Sequence, residues 1–270
     1  MLLTPFRLAA SMMQRFLAER CIQTAAALSF ATLLGLVPMV VIGATLIESL
    51  PFGVKLTAAL ESFLTSTLLP EKAGAVIAKY LGQFAHRAER IPWLGLVALA
   101  VTALMQMLTI EHSFNAIWKV RTQRHFLKRL AMHSVALLAG PMVFGAALAG
   151  ITYIAGISFG FFDEPRWFRI AFSQVLPVVF LAILFALLYW AVPNKPVSRW
   201  HAGTAGLLAA LAFVGMQRLF ALYIVKLPTY AAIYGTFAAL PVFLLWLHLS
   251  WSVILLGALM VAEWPSASRR

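Results

Sequence analysis

Six apolar runs alternate with polar segments along the chain: Leu28–Ile47, Trp93–Ile110, Ala131–Gly156, Ile170–Val192, Ala202–Val225 and Phe237–Ala262. An α-helix rises about 1.5 Å per residue and the hydrocarbon core of a bilayer is about 30 Å thick, so about twenty apolar residues cross it. Each run meets that length. The pattern predicts an all-α integral membrane protein: a bundle of six transmembrane helices forming a single membrane domain, residues 1–270, with short amphipathic interfacial helices. The first run starts too late and is too long for a cleavable signal peptide, and is expected to be a retained span.

Between the runs the periodicity changes. Leu8, Met12, Phe16 and Leu17, with Arg7, Ser11 and Arg15 around them, predict an amphipathic helix on the inner interface. In the long 49–91 segment, Leu56, Leu60, Phe63 and Leu64 predict a second such helix, and Val76, Ile77, Tyr80, Leu81 and Phe84 a third. Simple packing against the bundle is the alternative for all three. Pro38, Pro141, Pro177 and Pro241 lie inside spans, where each removes a backbone donor and is expected to interrupt its helix. Small residues at Ala146 and Gly150, at Gly156 and Gly160, and at Ala202, Gly206 and Ala210 mark faces where helices can approach closely.

Composition agrees with this pattern. Apolar residues make up 62% of the chain and charged residues 11%, against about 25% charged in an average soluble domain. A net charge of +12 would suggest nucleic acid in a soluble protein. In a membrane protein it follows from the excess of lysine and arginine in cytoplasmic loops. Arg7, Arg15, Arg20, Lys119, Arg121, Arg124, Lys128, Arg129, Lys195, Arg199, Arg269 and Arg270 flank one side, whereas the short loops opposite hold only Arg166, Arg169 and Lys226. Both termini are therefore expected in the cytoplasm and the 49–91 segment outside. The single Cys21 excludes an intrachain disulfide and a cysteine-based zinc site.

An ionisable group at membrane depth needs a partner, water or an escape to the interface. Arg218 either lines a cavity and grips an anionic group or snorkels to the headgroups. Glu111, Asn115 and Trp118 follow i, i+4, i+7 spacing and share one helix face. Such a face either binds a ligand at the inner mouth or pins the span at the interface. Tyr223 and Tyr234 join these four as substrate-binding candidates. Glu48 and Glu263, at the ends of the first and last spans, are candidates for ion or proton binding, with an interfacial position as the alternative. Gln23, Thr24, Ser29 and Thr32 give the first span a polar side. No HExxH, GxSxG, P-loop or glycine fingerprint is present, and no histidine pair stands at i, i+4. Neither enzyme chemistry nor a cofactor or metal is expected.

Several segments together resemble the BrkB/YihY-type inner-membrane proteins, a bacterial group once mislabelled ribonuclease BN. They are Ala25-Ala26-Ala27-Leu28-Ser29-Phe30 through Leu36-Val37-Pro38; Glu111-His112-Ser113-Phe114-Asn115-Ala116-Ile117-Trp118; Val192-Pro193-Asn194-Lys195 followed by Arg199-Trp200-His201-Ala202; Phe220-Ala221-Leu222-Tyr223, Tyr230 and Ile233-Tyr234-Gly235; and Leu240-Pro241, Leu245-Trp246 and Leu256-Gly257-Ala258. Their order and spacing cover nearly the whole chain. The chain departs from the family's usual tyrosine at Phe30, its serine at Gly35 and its acidic residue at Leu259, with Glu263 one turn later on the same face. The resemblance implies six spans in the bacterial inner membrane and a link to the cell envelope, with no agreed activity.

Three functions fit these features. The first is a transporter or flippase-like protein for a lipid or another anionic amphipathic envelope molecule, with membrane lipids as partners. It predicts a lipid-sized groove beside Arg218 and the Glu111 face. The second is a cation/proton exchanger using Glu111, Glu48 or Glu263. The third is a non-transporting scaffold for envelope-assembly proteins, which a solid bundle with those side chains packed away would favour. A nuclease acting through the basic 119–129 loop is disfavoured, because loop charge bias explains those residues more simply, and no nucleic acid partner is expected.

Overall fold

The computed structural model describes residues 3–48, 93–120, 124–139, 143, 166–225 and 239–267. These residues form helices α1 (Leu3–Ala18), α2 (Cys21–Glu48), α3 (Trp93–Ile117), α4 (126–139), α5 (Arg166–Ala191), α6 (Arg199–Val225) and α7 (Ala239–Ala267), with no strand among the described residues. Among the described residues four stretches are long and apolar enough to cross a membrane: Val97–Ile117, Gln174–Ala191, Arg199–Ile224 and Leu240–Glu263. They coincide with the second, fourth, fifth and sixth predicted runs. The first run lies within α2, whose Cys21–Leu36 part is a shorter apolar helix. α4 holds the beginning of the third. The rest of that run, with Pro141, Ala146, Gly150, Gly156 and Gly160, lies outside the described residues, as do both helices predicted within 49–91.

Pro38 and Pro177 sit inside α2 and α5, and Pro241 is the third described residue of α7.

The chain forms two compact units. One comprises Thr32–Leu108 and His125–Gln174. Its core joins Ile42, Ala103 and Leu137, from α2, α3 and α4, with Met39, Leu99, Ala100, Leu104 and Met107 packed around them. Within it, the side-chain amide of Gln106 occupies the space a Cβ on Gly35 would need. The departure from serine at Gly35 therefore makes room for a polar side chain buried in a span.

The other unit comprises Met1–Ala31, Thr109–Arg124 and Val175–Arg270. α7 is its centre and buries 44% of its span, twice the 22% of the other three. Stacked and edge-on rings link four helices: Trp118 and Phe114 of α3 (with Trp118 just past its end), Tyr189 and Phe185 of α5, Phe213 and Phe220 of α6, and Trp246 of α7, with neighbouring centroids 5.0–6.3 Å apart where they cross between helices. Aromatic pairs at such distances add about 1 kcal/mol each beyond the area they bury. The Tyr189 hydroxyl donates to the Ile254 carbonyl at 3.0 Å and fills the space left by Gly257. Ala202, Gly206 and Ala210 are buried as predicted, and a Cβ on Gly206 would stand 2.6–2.9 Å from backbone atoms of Ala182 and Ala186. Here α5 and α6 touch backbone to backbone.

Candidate functional site

Two helix ends fix the polar residues of this second unit. α3 stops in a left-handed turn at Lys119 (φ 51°), where the Val120 N–H donates to the Asn115 carbonyl at 2.9 Å and the Lys119 N–H to that of Ala116 at 3.0 Å. This is the hydrogen-bond pattern of a glycine-capped helix end, built here on a lysine. α1 stops likewise at Arg20 (φ 53°), whose N–H reaches the Leu17 carbonyl at 3.1 Å. A cation at each position suits the negative end of the helix dipole and offsets part of the backbone strain.

Glu111, Asn115 and Trp118 share a face, as their spacing predicts, and all three are buried. The Asn115 amide donates to Glu111 Oε1 at 3.4 Å, and its Oδ1 accepts the Asn194 N–H at 2.7 Å. Arg124 completes the joint: its Nε donates to Asn194 Oδ1 at 3.1 Å and its Nη2 to the Pro193 carbonyl at 3.2 Å. The end of α3 is thus stitched to the turn between α5 and α6. Two segments read separately in the sequence, around Asn115 and around Asn194, meet here in one hydrogen-bond chain.

A second polar cluster ties α1 to α7. Glu263 accepts from Ser11 Oγ at 3.0 Å and from Arg15 Nη1 at 3.2 Å. Arg15 also binds Glu19 through Nε and Nη2, at 2.9 and 2.6 Å, and the Ile117 carbonyl at 3.3 Å, while Lys119 stands 3.6 Å from Glu19. Burial disfavours the Arg15 cation, but Glu19 and Glu263 outweigh it and hold the guanidinium more firmly protonated. The polar side of α1 therefore faces protein, together with Phe16, and Met13 and Leu17 face outward. The sequence pattern set Ser11 and Arg15 around the apolar face and left open whether the helix lies in the inner interface or packs against the bundle. The ties to Glu263 favour packing, because a buried carboxylate requires a cation and donors.

Cys21, the first residue of α2 and seven positions ahead of its predicted span, is buried. Burial above all, with Glu19 adding, pushes its thiol up to about 11. Hydroxyls within the helices bond back to their own backbones: Ser29 to Ala25, Thr102 to Ala98, Ser250 to Trp246 and Ser252 to His248. These polar positions are satisfied locally.

Arg218 is different. It lies exposed on the outward face of α6, near the opposite end from Arg199 and about 28 Å along the axis at about 1.5 Å per residue. The candidate span begins at Arg199 and runs on past Arg218 to Ile224. Glu111 lies within two turns of the end of α3, and that end is stitched to the turn that leads into Arg199. Arg218 therefore stands far along α6 from the joint that holds the Glu111 face. Tyr223 is half exposed beside Phe220. Tyr234 lies outside the described residues, and so does the side chain of Glu48, the last residue of α2. Among the described residues no three His, Cys, Asp or Glu gather as a metal site.

Sequence reasoning missed Arg199, whose guanidinium carbon sits 5.4 Å from the centre of the Trp190 ring. It also missed Asn194 and Arg124 as partners of Asn115. Proximity between segments so far apart in the chain leaves no local signal.

Residues 12–269 match the model of the family described as virulence factor BrkB. Among curated proteins the chain is 46% identical to a UPF0761 membrane protein of Aromatoleum aromaticum and 46% identical to one of an Azoarcus species, each match covering 95% of this chain and 63% of the relative. It is 40% identical to another from Nitrosospira multiformis, over 93% of this chain and 59% of that relative. The chain thus spans less than two thirds of the length of these relatives. No solved structure matches.

Proposed function

This chain belongs to the BrkB family of membrane proteins, and from that premise we propose that it moves a lipid or another anionic amphipathic envelope molecule across the bacterial inner membrane. The observation that carries the reading is the outward face of α6. Trp200, Thr204, Leu207, Leu211, Gly215, Arg218 and Leu222 recur at helical spacing and are all exposed. The face bears an indole at one end of the candidate span, a guanidinium toward the other, and small or apolar residues between. A headgroup held by Arg218 keeps its acyl chains in lipid throughout.

The reading includes six spans, with both termini in the cytoplasm. Support for the orientation comes from the basic residues at the end of α1, just past the end of α3 and between α5 and α6, and from the contact of α1 with the end of α7. The test is reconstitution into liposomes with a fluorescent anionic phospholipid in one leaflet. Faster equilibration than in empty liposomes, slowed by Arg218→Ala, is the expected result, and equal rates reject the proposal.

A second reading, the non-transporting envelope scaffold, is favoured by the burial of Glu111, Asn115 and Trp118 in a joint between helices. Crosslinking in cells that captures an envelope-assembly protein, together with inert liposomes, selects it. The exchanger reading has less support, because Glu111 holds Asn115 and Glu263 holds Ser11 and Arg15.

A further inference from the structure

We infer that Arg199, Trp190 and Trp200 form a headgroup site for an anionic glycerophospholipid in the leaflet where α5 ends and α6 begins. Trp190 is the next-to-last residue of one candidate span and Arg199 the first residue of the next, so both stand at the boundary of the hydrocarbon. The indole of Trp190 lies against the Arg199 guanidinium. Stacking holds the cation in place and leaves the edge of its N–H fork open, the geometry that grips a phosphate with two parallel hydrogen bonds. Trp200 is 81% exposed, and an indole so placed belongs among headgroups, where its ring and its N–H are both accommodated.

The apolar surface beside this cation identifies the occupant. Val179, Ile183 and Leu187 form an exposed stripe along α5 that ends at Trp190. A soluble phosphate makes no use of that stripe. A zwitterionic lipid brings a second cation toward Arg199. A phospholipid with net negative charge satisfies both halves, phosphate on Arg199 and one acyl chain along the stripe. The inference rests on the lipid-handling reading and names where the cargo is first held.

The experiment uses the full chain in phosphatidylcholine nanodiscs carrying a small fraction of phosphatidylglycerol with a photoactivatable diazirine in its acyl chain. Peptide mass spectrometry locates the adducts. Labelling is expected at Ile183 and Leu187, falling about fivefold in Arg199→Ala, the ratio that corresponds to about 1 kcal/mol for one basic residue at an anionic headgroup. Arg199→Lys is expected to recover part of it and to report that the variant is folded. Diazirine phosphatidylcholine is expected to label the same peptides weakly and equally in all variants.

Lys128→Ala removes the same charge from exposed surface on α4, and an equal loss there would overturn the site in favour of bulk attraction. Displacement by millimolar glycerol phosphate would overturn the lipid assignment. Translocation that persists at the full rate in Arg199→Ala, once labelling is lost, would overturn the claim that the cargo is first held there. Labelling that stands while liposomes stay inert would keep the site and reject the lipid-handling reading.

Discussion

Both faces of α6 carry glycine, and the glycines behave oppositely. Gly206 lies where a Cβ would press on the backbone of α5, whereas around Gly203 and Gly215 a Cβ would meet nothing within 4 Å. The inward face is alanine, glycine and phenylalanine packed against α5 and α7. The outward face offers glycine, threonine, leucine and an arginine to the surroundings. Glycine therefore has two meanings in one helix: close approach on one side, and on the other a position where helix propensity is simply forgone.

The most severe way to break that contrast is Gly206→Ala. Ala182 and Ala186 contact this site through backbone atoms, which cannot rotate away, so the helices must separate. Overpacking of this kind costs about 3 kcal/mol, and a melting temperature lower by about 10 °C is expected from intrinsic tryptophan fluorescence in detergent. Gly203→Ala and Gly215→Ala are expected to raise stability by up to about 1 kcal/mol each, since alanine is the better helix former. Equal destabilisation at all three positions would show that the outward face is covered.

The next comparison sets the joint against the outward face. Asn115→Leu removes the acceptor for the Asn194 N–H and the donor to Glu111, so two hydrogen bonds of the joint are lost. A loss of about 2 kcal/mol is expected. Arg218→Leu on the exposed face is expected to change stability by less than about 0.5 kcal/mol, while slowing lipid movement. A variant pair with the reverse ranking would move the functional site to the joint.

Four of the spans were legible because an unbroken apolar run of about twenty residues has the length of a bilayer crossing, and core helices of soluble folds rarely sustain one. The buried small-residue face of α6 was legible from its spacing. The joint was legible only in part. The i, i+4, i+7 spacing put Glu111, Asn115 and Trp118 on one face, but periodicity does not say whether a polar face meets a ligand or another segment of the chain. Asn194 decides that, and it stands 79 positions away from Asn115. The choice for α1 between interface and packing stayed open for the same reason: nothing near Arg15 in the sequence points to Glu263, 248 positions away. Arg218 reads the same in sequence whether it grips cargo inside a bundle or faces outward.

The lysine that ends α3 sharpens the case for a joint built for rigidity. Lys119 holds a left-handed backbone that costs a residue with a Cβ about 1 kcal/mol, and its ammonium lies 3.6 Å from Glu19 on a side chain that is 74% exposed. An exposed pair of this kind contributes little. Lys119→Gly is therefore expected to stabilise by up to about 1 kcal/mol, seen as a modest rise in melting temperature, while Lys119→Ala keeps the strain, loses the pair and gains nothing.

The smallest effect concerns the adjoining helix start. In the folded chain the Cys21 thiol is pushed up to about 11 from an ordinary 9.0. The folded state therefore keeps its proton where the unfolded chain loses it, and this contribution is fully present below pH 9 and fades as the pH climbs toward 11. The thiolate is the nucleophile, so iodoacetamide should modify the native protein far more slowly than the denatured chain at about pH 8. The gap should narrow as the pH approaches 11. Native labelling at the denatured rate under those mildly alkaline conditions would mean that the surroundings that bury Cys21 open readily.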